Sequence, residues 1–190
     1  EKRRKEMEEE EKQRQEKLGQ QEEAGSVKKP QSSANAGQAD SSNGQDTKPE
    51  ASYVSLKQAL KLSGVKAIYR GYELVSAYKA SQSYMVRANS GNELLVLHVN
   101  LKNSGSKTAE CDILSKMPSF QLTVNGDVSV SADTTILLND LGTYQGKIRA
   151  GEKARTVLIF QVKKGEIKSM DNMDLEVTVN GEASLVHLAG

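Results

Sequence analysis

The 190 residues carry 26 Lys/Arg against 25 Asp/Glu, a net charge of +1, with six Tyr, two Phe and no Trp. That balance gives no strong field towards nucleic acid or anionic lipid, and no aromatic sits inside a basic run to stack a base. A single cysteine, Cys111, excludes a disulfide framework and a thiolate zinc centre.

Residues 1–52 hold ten Lys/Arg against twelve Asp/Glu, and Met7, Leu18 and Val27 are their only sizeable apolar side chains. Such a segment cannot offset the entropy of ordering its backbone, so the composition predicts a disordered arm. Its first 23 residues are helix-prone, with opposite charges four apart at Glu1/Lys5, Arg4/Glu8, Glu8/Lys12 and Glu10/Arg14. Each pair contributes only a few tenths of a kcal/mol. Met7 and Leu18 fall far short of a heptad seam, so a solvated helix is the better reading than a coiled-coil stalk. From Ala24 to Ser52 the chain turns to Ser, Gly, Gln and Asn with Pro30 and Pro49, the composition of a flexible spacer. Residues 53–190 hold all the aromatics and form the predicted domain.

Ser55 with Gln58 makes a capping box ahead of Leu56, Ala59 and Leu60, and Gly64 fits a left-handed stop, so a short helix is expected from Ser55 to Gly64. The period then becomes two. Val65–Tyr78 is β-rich, with a bulge or bend expected at Gly71, and Tyr84–Ala88 is a short strand. Leu95, Leu97, Val99 and Leu101 share one face of a strand from Leu94 to Lys102. Phe120, Leu122 and Val124 mark another. Around Thr156–Val162 both faces are apolar, which predicts a central strand.

Two turns fix registers. Asn180-Gly181 as a two-residue turn pairs Met173 with Leu188, Leu175 with Val186 and Val177 with Ser184, gathering the apolar side chains on one face. At Asn125-Gly126 a two-residue turn would set Val128 and Val130 against Thr123 and Gln121. A bulged three-residue loop instead pairs Val124/Val128, Leu122/Val130 and Phe120/Ala132, and is preferred. Short strands, turn signals and one small helix predict an all-β, immunoglobulin-like sandwich behind a disordered charged arm.

No phosphate loop, metalloprotease helix, nucleophile elbow or EF-hand series is present. His98 and His187 sit mid-strand and read as surface or structural residues, His187 opposite Asp174. Cys111 has no histidine near it in sequence and reads as a packing or surface thiol. Asp112, Asp127, Asp133 and Asp140 lack the spacing of a calcium loop. Lys147, Arg149, Lys153 and Arg155 flank Gly151-Glu152. Edge protection is the plain reading of these charges, an anion-docking patch the sharper one. No catalytic residue, metal or cofactor is expected. Recognition is expected on loops or outer faces, with Ala132–Gly151 and Ser104–Pro118 as the longest stretches without a clear strand. Asp133, Asp140, Tyr144, Lys147 and Arg149 in the first of these are the candidate interaction residues.

Three segments carry a family resemblance: Gly91-Asn92-Glu93 leading into Leu94–Asn103, Ser119-Phe120-Gln121-Leu122 with Asn125-Gly126, and Gly151-Glu152-Lys153 leading into Val157–Val162. In these the chain resembles a family of unknown function found in bacterial lipoproteins and secreted proteins, grouped with immunoprotective extracellular immunoglobulin-like domains. Ala150 departs from the proline common there, and the capped helix at Ser55 is not associated with that family's core. The resemblance implies a domain outside the membrane, behind a lipid-anchored cysteine or membrane span. With Glu1 as first residue, any such upstream anchor or signal is expected to have been removed. Lys2-Arg3-Arg4-Lys5 would favour a cytoplasmic side of such a span, but linker and resemblance outweigh it. The expected role is a non-enzymatic surface or secreted domain that binds protein, peptide or envelope material, without nucleic acid. The alternatives are a ligand-free spacer and an unrecognised hydrolase. Because residues 1–50 bring no core-forming side chain, a chain starting near Ala51 is expected to keep its Tm within a few degrees in calorimetry. A large drop would show that the arm docks on the domain.

Overall fold

Residues 52–188 are described by a computed structural model, and the predicted arm and spacer, residues 1–51, lie outside that range, as do residues 189–190. Helix α1 (Leu56–Ala59) forms behind the predicted cap: Gln58 N donates to Ser55 Oγ at 3.3 Å and Ser55 N donates to Gln58 Oε1 at 3.0 Å. The helix is shorter than its sequence signal. It closes at Leu60, Lys61 takes the positive φ of 49°, and Gly64, also at positive φ, instead opens the first strand. Lys116 Nζ donates to the carbonyls of Leu60 and Lys61 at 2.9 and 2.7 Å, satisfying acceptors that the helix end leaves open.

Eleven strands follow: β1 (Val65–Val75), β2 (Ala77–Lys79), β3 (Met85–Arg87), β4 (Asn92–Asn103), β5 (Ala109–Asp112), β6 (Ser119–Val124), β7 (Val128–Asp133), β8 (Gln145–Ile148), β9 (Lys153–Lys163), β10 (Met173–Val179) and β11 (Glu182–Leu188). A 3-10 turn, Leu114–Lys116, precedes β6. Seven strands form one antiparallel sheet in the order β1-β4-β9-β7-β6-β10-β11, while β2-β3 and β5-β8 are separate two-stranded ladders. The fold is all-β, a sandwich made by one curled sheet. The curl is made at β7: its residues 128–131 pair with β6, but Ala132 and Asp133 pair with Phe160 and Ile159 of β9. Val124/Val128 and Leu122/Val130 therefore pair as expected, whereas Ala132 lies opposite Phe160 rather than Phe120.

The β10–β11 hairpin has the predicted register, including Met173 with Leu188 and Asp174 with His187. The bulge also falls where Gly71 puts it. Tyr69 faces Val99 and Tyr72 faces Leu97, so β1 spends an extra residue there, with Gly71 at φ 113°. The expected strand from Val65 to Tyr78 is broken at Ser76, after which β2 leaves the large sheet to pair with β3. A larger correction concerns the two long stretches expected to be loops. Glu110 to Asp112 face Lys147 to Gln145, so β5 and β8 make a ladder across them. Strands of four residues, with only one or two apolar side chains each, leave no alternation that a window can detect.

Between the two halves of the curled sheet lies the main core, with Phe160, Leu95, Leu97, Leu101, Leu122, Met173, Leu175 and Val177 fully buried. β9 is central, as its two apolar faces require. Its outer face, with Leu94 and Val96 of β4, carries a second cluster of Val157, Ile159 and Leu137, over which Tyr78, Ala80, Val86 and Ala88 pack. One buried polar residue joins the far ends of the strands. Asn103 Nδ2 donates to Lys107 O at 2.7 Å and Ile148 O at 2.8 Å, and Gly105 N donates to Asn103 Oδ1 at 2.9 Å. Its amide is thus satisfied while tying β4 to β8 and to the loop between β4 and β5.

Phe160→Ala removes a fully buried ring facing both Leu95 and Ala132. A loss of about 3–5 kcal/mol is expected in urea unfolding. A loss below about 1 kcal/mol would show that the site collapses around the cavity.

Candidate functional site

The five residues picked from the sequence do not form one patch. Lys147 lies on β8 and its Nζ pairs with Glu110 Oε1 at 3.2 Å across the short ladder. Arg149 is exposed at the turn into β9, and Tyr144 packs half-buried against the main core, where burial raises its phenol pKa. Asp133 ends β7 opposite Ile159. Asp140 is 4% exposed. Its carboxylate accepts from Thr135 N at 2.9 Å, Thr135 Oγ1 at 2.6 Å and Gly142 N at 2.8 Å. Those bonds make Asp140 a brace for the 134–144 loop rather than an exposed contact.

Asp133 and Asp140 do meet at one place. Where β7 leaves β6 for β9, the two strands part and an open groove of about 360 Å³ lies between the 117–119 segment and the 134–143 loop. Phe120 and Leu158 of the core are among its lining residues, together with Ser119, Ser131, Thr143 and Thr178 and the acidic Asp133 and Glu176. Gly142 packs closely here. A Cβ there would sit 3.3 Å from Asp140 Oδ1 and 3.4 Å from the Phe120 ring.

Two large apolar side chains in the groove's lining are exposed. Met117, held at φ 44°, is 83% exposed and Leu114 45%. On the opposite loop Ile136 and Leu138 are 83% and 87% exposed, while Leu137 between them is buried in the outer cluster. Met117 and Leu114 line the groove, whereas Ile136 and Leu138 lie outside its lining. Sequence reading passed over them because loop positions have no period.

The remaining chemistry-bearing residues are engaged elsewhere. His187 Nδ1 lies 2.9 Å from Asp174 Oδ1, the surface pair that the hairpin register implies, and Tyr53 OH donates to Asp174 Oδ2 at 3.2 Å. His98 Nε2 lies 3.1 Å from Glu73 Oε1, with its ring tilted against Tyr78. Cys111 is 3% exposed in the main core, and burial pushes its thiol pKa up. Asp112 accepts from Ser115 N and Gln145 Nε2, which hold its carboxyl below the usual range. Among the described residues no three His, Cys, Asp or Glu side chains stand close enough to hold a metal ion. No described helix is long and apolar enough to cross a membrane.

A family model described as "Domain of unknown function (DUF4352)" matches residues 58–183, from within α1 to the start of β11. The chain belongs to the DUF4352 family. No curated protein matches it. Among solved structures, an uncharacterized β-sandwich protein of Clostridium difficile is 15% identical at TM-score 0.44, covering 76% of this chain and 99% of its own. A conserved hypothetical protein of Bacillus anthracis is 14% identical at TM-score 0.39, covering 66% of this chain and 89% of its own. A candidate lipoprotein of Bacillus subtilis is 17% identical at TM-score 0.37, with 66% of this chain and 36% of its own covered.

For this DUF4352 domain, Asp140→Ala is expected to cost about 2–4 kcal/mol, since it leaves three part-buried donors of the loop unpaired. Hydrogen exchange should localise the loosening to residues 134–143, and protection unchanged there would show that the brace is dispensable. The Cys111 thiol is expected to resist iodoacetamide in the native protein and to react fully in urea, followed by mass spectrometry. Rapid native labelling would show that β5 opens readily.

Proposed function

We propose that this domain is a non-enzymatic, immunoglobulin-like binding module held outside the cell, recognising an extended segment of a protein or peptide at the groove beside β7. The observation that carries the reading is the pairing of exposed Met117 and Leu114 with a groove whose lining includes Ser119, Ser131, Thr143 and Thr178. Apolar anchors beside adaptable hydrogen-bonding groups are the usual make-up of a recognition surface. Asp133 and Glu176 would favour a ligand with a cationic side chain or amine over the groove. The Ser/Gly/Gln-rich composition of residues 24–52 supports a tether that presents the domain away from an anchor.

Panning a displayed random-peptide library against the full chain tests this. Enriched peptides should carry apolar and basic residues, and Met117→Glu with Leu114→Glu should abolish their binding at unchanged Tm. Peptides that bind the double variant equally well would place recognition elsewhere. No enrichment would favour a ligand-free spacer, and turnover in an activity screen, lost on changing a single Asp or Glu, would favour a hydrolase.

A further inference from the structure

The outer face of β1, β4 and β9 has two unlike halves. The half holding Leu94, Val96, Val157 and Ile159 is covered by Tyr78, Val86 and their neighbours. The other half is bare. There Lys66 pairs across with Lys102, and Lys102 with Lys153, so three lysines stand in one row over three adjacent strands. The next row is Ile68, Asn100 and Arg155. All four cations are exposed, and among the described residues none of them makes an ion pair.

Like charges directly opposite one another in a sheet are destabilising. Edge protection accounts for Lys66, because β1 is an edge strand. It does not account for Lys102, which lies between the other two on an interior strand. A row that costs stability at its centre calls for a ligand that neutralises it. We infer that this face is a docking site for a linear polyanion, a chain of closely spaced phosphate or carboxylate groups lying across the strands.

Three features favour that occupant. With strands about 4.8 Å apart, the row spans roughly 10 Å, the length of two or three anionic repeats. Lysines predominate, and they neutralise as point charges without the bidentate geometry that arginine offers a single anion. Ile68 is the one large apolar side chain among these two rows, and neither row holds an aromatic. The face therefore lacks the wedge that inserts into a bilayer and the platform that stacks a nucleobase. The site does not depend on the groove beside β7, and Met117→Glu should leave it intact.

Lys102→Glu is the decisive variant, because it places a carboxylate between Lys66 and Lys153. Its Tm should equal or exceed that of the unchanged chain, so lost binding would not reflect lost folding. Titrating the full chain with medium-chain polyphosphate and with polygalacturonate should show binding to at least one, weakened about tenfold or more by Lys102→Glu and less than about twofold by Lys164→Glu. The polymer bound identifies the anionic group. For three or four neutralised anions, log affinity should fall against log salt with a slope of about −2 to −3, and Lys102→Ala should flatten it. Equal losses from Lys102→Glu and Lys164→Glu would reduce the effect to bulk charge and overturn the inference. Binding to neither polymer would overturn it too. So would Lys102-dependent binding confined to phosphatidylglycerol vesicles, which would assign the face to a bilayer.

Discussion

The long ladder between β4 and β9 is the constraint on which the other elements depend. Asn92 to Lys102 pair without interruption with Lys163 to Lys153, and in the middle of that ladder both faces are buried. An antiparallel pair apolar on both sides needs cover on both sides. On the inner side the cover is the other half of the same sheet, brought round by β7. On the outer side it is the β2–β3 hairpin and Leu137. The break at Ser76 and the inward turn of Leu137 are thus two answers to one demand for burial.

β7 is what converts a flat sheet into a sandwich. Its first four residues satisfy β6 and its last two satisfy β9. A strand shared in this way leaves β6 and β9 unpaired to each other beyond the crossover, and the groove opens there. Loop 134–144 has to span that gap, which explains why it is braced from within by Asp140 and why its apolar residues divide between the outer cluster and solvent. The candidate recognition site is therefore a by-product of the curl. The lysine row has a different origin. It occupies the part of the β4–β9 face that the hairpin does not reach, where nothing in the packing asks for charge.

Much of the strand framework was legible from residues alone. Where a strand is long and buried on one side, alternation determines which side chains face in, and a slip of one residue would expose them all. That is why the Met173–Leu188 register, the bulged loop after Val124 and the bulge at Gly71 follow from pattern and turn chemistry. The site was far less legible. Asp140 reads as a loop carboxylate, but burial is a property of neighbours that come from β9 and Thr135 rather than from its own segment. Lys66, Lys102 and Lys153 are far apart in sequence and carry no shared signal until the sheet aligns them.

Composition and period by themselves determined the all-β class, the separation of a core-poor arm from a core-bearing segment, the helix cap at Ser55, the central place of β9 and the lack of known catalytic motifs. These depend on local propensity, on hydrophobic periodicity and on the amount of apolar surface, all of which are additive along a chain. Tertiary structure alone decided where β7 divides its pairing, that β5 and β8 find each other across two apparent loops, that Cys111 is buried, and which charges stand together. Those outcomes depend on contacts between distant segments, whose formation is set by the closing of the sheet as a whole and not by any window of the sequence.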